Sequence, residues 1–194
     1  MNFKYITLFV LSLVMSVTAS AQETLTLKGV KAQVKGTSTL HDWHSSITQI
    51  NFSGTVQSEN AVPKVIKDVK VTIPVTSIKS EEGKMMDNKT YEAFKSESNP
   101  NITYTADQTQ ITVDASKNIS IKANGKLTMA GVTKPVTIEA KGKILANGNL
   151  QLAVSQTLDM REYNMKPPTV MMGTIKVGPV VTVQVDLILT ASGS

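Results

Sequence analysis

The chain has no cysteine, and aromatic residues fill only 5% of its 194 positions. Without cysteine there is no disulfide, no thiol nucleophile, no thiolate metal ligand and no cysteine for a lipid anchor. An apolar core alone must therefore hold the fold, and residues 22–194 are enough to build one. Histidine occurs only at His41 and His44, which is thin material for a metal or acid–base site. Aromatics are too few for the paired girdles of an outer-membrane barrel. No basic cluster interleaved with aromatics occurs, so nothing supports nucleic-acid binding. The formal charge of +5 is spread as single lysines and reads as a solvated surface.

Long apolar runs are also missing, except at the start. Lys4 supplies a positive n-region, Tyr5 to Val17 an apolar stretch, and Ala19-Ser20-Ala21 a small-residue cleavage pattern. The rival, an uncleaved anchor helix, requires roughly 20 apolar residues. The expectation is a signal peptide over residues 1–21, followed by one domain over residues 22–194. A periplasmic or secreted protein follows from that, with no membrane-spanning segment.

What the rest of the chain does have is alternation. Val136, Ile138 and Ala140 share one face while Thr137, Glu139 and Lys141 share the other, as in a strand with one dry side. Similar runs occur at Leu25–Val34, Ile50–Val56, Val65–Val75, Ile102–Val113, Ile119–Met129, Leu150–Val154 and Val181–Leu189. Val65 is read in the same phase as Val69, Val71 and Ile73. About eight or nine such strands point to an all-β antiparallel barrel or sandwich. Asn147-Gly148 is the strongest hairpin signal, and Gly125 reads as a kink or bulge within a continuous strand. From Lys84 to Lys95 the period becomes helical, with Met86, Thr90, Ala93 and Phe94 on one side and Tyr91 at its margin. That helix is expected to pack across the end or side of the barrel. Residues 166–178, with Pro167-Pro168 and Met171-Met172, read as a long loop beside the opening.

The inward phase holds small residues at Gly54, Ala123, Gly125, Ala140 and Gly142. They either leave room for an apolar ligand or relieve crowding in a solid core; the pattern admits both. Chemistry is otherwise sparse. His41 and His44, three apart, should project to opposite faces of a strand, so neither a metal site nor a triad with Ser45 is favoured. The ordinary reading makes Trp43 a core or rim aromatic and the His-Asp pair a polar network at a turn. Glu81-Glu82 sit near the helix start, where negative charge complements its dipole. Met85-Met86 and Met171-Met172 read as core filling, with an adaptable ligand mouth as the alternative.

Several segments, in order, resemble the YceI-like family of polyisoprenoid-binding barrels. They are Lys35–Trp43, Ile73–Ile78, Asp87–Phe94, Asn99–Tyr104, the hairpin Gly131–Val136, Tyr163–Pro168 and Ile175–Gly178. The HDWH form of residues 41–44 departs from the usual family pattern. The resemblance implies an extended, lipocalin-like antiparallel β-barrel of about eight strands with one short helix. It further implies an exported carrier of a long isoprenoid or other lipid, with no cofactor and no catalysis. Phe52, Val71, Ile73, Ile121, Leu127, Ile138, Leu152 and Val183 are expected along the lining, with Trp43 and Phe94 toward its ends. The rival function is a solid-core interaction or stress-response module that grips a protein through its rim loops. The oligomeric state stays open, a dimer included.

Overall fold

A computed structural model describes residues 22–192. The expected signal peptide lies outside them. Within this span, runs rich in Val, Ile and Thr form strands, as branched side chains on a half-buried pleat favour. In chain order these are β1 (Gln22–Ser38), β2 (Trp43–Ile47), β3 (Asn51–Glu59), β4 (Val62–Pro74) and β5 (Ile78–Ser80). The one α-helix among the described residues, α1 (Lys84–Phe94), follows. Then come β6 (Asn101–Val113), β7 (Asn118–Met129), β8 (Val132–Ile144), β9 (Leu150–Asp159), β10 (Thr169–Val170) and β11 (Ile175–Ser192).

Eight strands close a ring in the order β1-β3-β4-β6-β7-β8-β9-β11, and β11 returns to β1 from Thr24↔Ser192 to Ser38↔Val177. All these pairings are antiparallel. β1 is shared: residues 22–25 pair with β3, and residues 33–36 pair with β2. β2 and β5 thereby form a flap that extends the wall at one end. Two-residue turns with positive φ join β3 to β4 at Asn60-Ala61 and β7 to β8 at Ala130-Gly131, which suits the twist of hairpins. At Asn147-Gly148 the expected turn forms between β8 and β9, with Gly148 at φ 82°.

Outward residues are polar: Lys122 faces Glu139, Ser120 faces Lys141 and Asn124 faces Thr137 across β7 and β8. Such a row is opposite to the apolar outer band of a transmembrane barrel. Among the described residues no helix is long and apolar enough to cross a membrane.

The inward phase is not continuous. β-bulges interrupt β1 between Leu27 and Gly29, the β3–β4 ladder near Asp68 (φ 53°), and the β6–β7 ladder between Thr105 and Thr109. Each extra residue swaps faces. Ile66, not Val65, consequently joins Val69 inside. Gly125 lies opposite the β6 bulge rather than forming one itself.

One end of the barrel is filled. Leu25, Val56, Ile119, Leu150 and Leu189 are each no more than 4% exposed and pack together there. At the other end the wall is completed by α1, the flap and the segment after β9. α1 is tied down on its outer side: the Asp87 carboxylate accepts the Ser80 N–H at 2.7 Å, and the Tyr91 hydroxyl donates to the Thr76 carbonyl at 3.0 Å. Lys95 ends the helix in the left-handed conformation, with the Ser96 N–H donating to the Tyr91 carbonyl at 3.0 Å. The loop expected over residues 166–178 is shorter than that, because β10 and β11 already pair at Thr169↔Lys176 and Val170↔Ile175.

Candidate functional site: an apolar cavity with one polar mouth

Between the filled end and α1 lies a cavity of about 300 Å³, at the small end of the roughly 300–1,000 Å³ usual for ligand sites. All ten residues expected from sequence line it: Trp43, Phe52, Val71, Ile73, Phe94, Ile121, Leu127, Ile138, Leu152 and Val183. Strand alternation brings the β-strand members in, and the helical period brings Met86, Thr90, Ala93 and Phe94 in together. Sequence reading missed Ile47 and Ile78 on the flap, and Met160, Met165 and Pro168 after β9. The flap strands are too short for a phase to show, and the last three lie in irregular chain with no period at all.

The small residues divide into two kinds. Ala123 and Ala140 line the cavity and leave it open. Gly125 and Gly142 do something else. A Cβ at Gly125 would collide with the Thr105 carbonyl and the Tyr104 ring, and one at Gly142 with the Gln151 backbone. These two glycines allow close approach of neighbours and contribute no void. Tyr104 uses that clearance: its ring lies over Gly125 and its hydroxyl donates to the Ala123 carbonyl at 2.8 Å. Burial pushes the Tyr104 phenol above its ordinary range.

Polar lining is confined to a few groups. Thr109, deep in the barrel, accepts the Ile66 N–H at 3.0 Å, and Thr90 donates to the Met86 carbonyl at 3.0 Å. No side-chain polar atom buried among the described residues lacks a partner. Ser80 and Glu82 line the cavity with Trp43, Met86 and Pro168, and this half-buried to exposed group marks the mouth, with buried Ser45 beneath it. A wall of this composition gives a ligand apolar contact and almost no directional bonding.

Trp43 is held at the mouth by its indole N–H, which donates to the Thr37 carbonyl at 3.0 Å. Its ring lies directly over Gly36, where an added Cβ would sit 2.5 Å from the ring. His41 precedes β2 and His44 lies within it, so the opposite projection expected for two residues on one strand does not arise. Both rings reach the same acidic turn: His44 Nε2 is 2.7 Å from Glu81 and His41 Nε2 is 3.8 Å from Glu82. Glu81 and Glu82 therefore face histidines, and Asp87 is the acidic residue in the first helical turn. No group of three metal-ligating side chains exists among the described residues. Ser45 points inward and is 3% exposed, while the adjacent His44 faces outward to Glu81. That arrangement has no nucleophile–base contact.

Residues 32–189 match the YceI-like domain. The chain belongs to the YceI-like family. Among solved structures, this YceI-like barrel is similar to a polyisoprenoid binding domain from Saccharophagus degradans implicated in plant cell wall breakdown. The two share 11% identity over 89% of this chain and 99% of that one, with a TM-score of 0.63. BcnA from Burkholderia cenocepacia is similar at 16% identity over 83% of this chain and 96% of that one, with a TM-score of 0.60. A YceI protein from Campylobacter jejuni is similar at 18% identity over 76% and 86%, with a TM-score of 0.52. At such identities the likeness concerns the fold. No curated protein matches the chain.

Proposed function

We propose that this YceI-like protein binds a long apolar lipid of polyisoprenoid type in the barrel and acts as a carrier or store, not as an enzyme. The observation that carries this reading is the cavity itself, walled almost wholly by apolar side chains, with Thr109 in its depth already bonded to the Ile66 N–H. Burying a hydrocarbon chain there gains about 25 cal/mol per Å² of apolar area, offset by the cost of ordering the chain. The polyisoprenoid-binding relative from Saccharophagus degradans supports the ligand class. The leader-like run over residues 1–21 supports action after export. The ten lining residues named above are the proposed contacts.

The test is native mass spectrometry of protein purified from its own cell envelope, followed by organic extraction. One apolar molecule per barrel is expected. Leu127→Trp and Ala140→Phe, both directed into the cavity, should each abolish that adduct while the fold is retained, at about 1–3 kcal/mol of overpacking cost. Adduct-free wild type that also refuses added long-chain isoprenoids and fatty acids would sink the reading and favour a partner bound at the rim. Sequencing the exported chain should find Gln22 first; a retained residue 1 refutes the cleaved leader.

A further inference from the structure

Six large apolar side chains are exposed among the described residues: Val30, Leu40, Met85, Met171, Met172 and Val180. Single exposed apolar residues are ordinary, but a cluster is not. Four of these six belong to three segments that adjoin one another around the mouth. Leu40 is 65% exposed on the β1–β2 turn, Met85 is 63% exposed in the first turn of α1, and Met171 and Met172 are 71% and 108% exposed beyond β10. The segments touch. The Thr39 N–H donates to the Lys176 carbonyl at 3.0 Å, and the Thr39 hydroxyl accepts the Lys176 N–H at 3.1 Å. His41 and His44 reach across to Glu82 and Glu81, just before α1. Beside these segments lie Trp43, Glu82, Met86 and Pro168, half-buried or exposed members of the cavity lining.

The methionine pair stands on an unusual stretch of backbone. Met171 and Met172 have φ of 49° and 55°, a left-handed conformation that is unfavourable for such side chains. The sequence reading offered core filling or an adaptable mouth for these methionines; they fill no core and stand in solvent beside the mouth. Formal charge on the same segments balances: Lys84, Lys166 and Lys176 against Asp42, Glu81 and Glu82. Such a rim offers apolar insertion with no net charge, which matches a zwitterionic headgroup layer over hydrocarbon.

We infer that the ring of Leu40, Met85, Met171 and Met172 is a bilayer-docking face, which seats the cavity mouth on a phospholipid membrane. An apolar chain then passes between bilayer and barrel without crossing water. The inference rests on the lipid-binding reading for its purpose, but the docking can be measured separately.

The experiment is flotation of the full exported chain with phosphatidylcholine vesicles, beside the same chain carrying Leu40→Ser, Met171→Asn and Met172→Asn. None of the three residues lines the cavity, and Asn tolerates the left-handed backbone at 171 and 172. Vesicle association should fall about tenfold or more in the variant, change little between low and high salt, and leave the extracted ligand unchanged. Wild type that fails to float, or a variant that floats equally well, overturns the inference. A variant that instead dissociates a dimer in sedimentation also overturns it, since a second copy then covers the face. Rim-dependent flotation by protein that yields no apolar ligand would sustain the docking face and sink the lipid-carrier reading; ligand without flotation does the reverse.

Discussion

Trp43 is the only tryptophan of the chain, and it stands at the cavity mouth on a glycine that cannot be enlarged without moving it. Gly36→Ala should displace the ring, weaken the Trp43–Thr37 hydrogen bond and cost about 1–3 kcal/mol. Urea unfolding followed by indole fluorescence checks this, and an unchanged midpoint and emission maximum would refute the packing described. Tyr104 makes a different prediction. Its phenol is raised above the ordinary value of 10.0 by burial, so the folded state holds the proton more tightly than the unfolded chain. Below pH 10 both states are neutral and the contribution is complete; as pH rises through the folded value it is lost. Tyr104→Phe should therefore flatten the fall of stability as pH rises above the ordinary phenol value, read as the urea midpoint against pH. The lining side chains on strands could be identified from sequence because alternation fixes the face of each residue wherever the pairing is regular, and Phe94 because the helical period does the same on α1. The purpose of the glycines could not, because Gly125 answers to Tyr104 and Thr105 and Gly142 to Gln151, groups whose cross-strand register the alternation does not give.

The helix α1 closes one side of the cavity through two outward anchors, Asp87 on Ser80 and Tyr91 on Thr76 and Ile78. Its inner side, with Met86 and Phe94, is only half-buried, so the anchors and not deep packing hold it in place. Asp87→Ala leaves the Ser80 N–H without its acceptor and should cost about 1–3 kcal/mol. The loss should be local. Amide exchange should quicken across residues 84–94 while β7 and β8 keep their protection, and ligand should dissociate faster. Uniform loosening of the barrel would contradict this. The helix boundaries were legible to within a residue because period, Gly83 before it and Pro100 beyond it all agree. Strand phase was less so. The bulge at Asp68 exchanges Val65 for Ile66 inside, and one Asp within an otherwise alternating run does not reveal it. Asn60-Ala61 was likewise silent, since alanine is not a usual occupant of a left-handed hairpin position.

Eight strands share one closed hydrogen-bonded ring, so few parts of the barrel can open alone. Unfolding followed by Trp43 fluorescence and by far-ultraviolet circular dichroism should coincide in one transition; separated midpoints would show that α1 and the flap form a unit of their own. Alternation alone did not distinguish a barrel from a sandwich, because it records which residues are dry and not which edges meet. Closure depends on β1 and β11, whose side chains join as Gln33 to Gln184 across 151 positions of sequence. Pairing so distant predicts refolding in the millisecond-to-second range rather than in microseconds. It also sets an order of events during synthesis. The strand that seals the ring is the last 18-residue strand to be made, and its partner is the first. Until it emerges, the growing chain is an open sheet with a bare edge along β1 and its oily face turned to water. A nascent chain cannot trap cargo inside a ring that has no last stave. On the proposed lipid-binding reading, loading waits for the finished barrel and passes through the mouth.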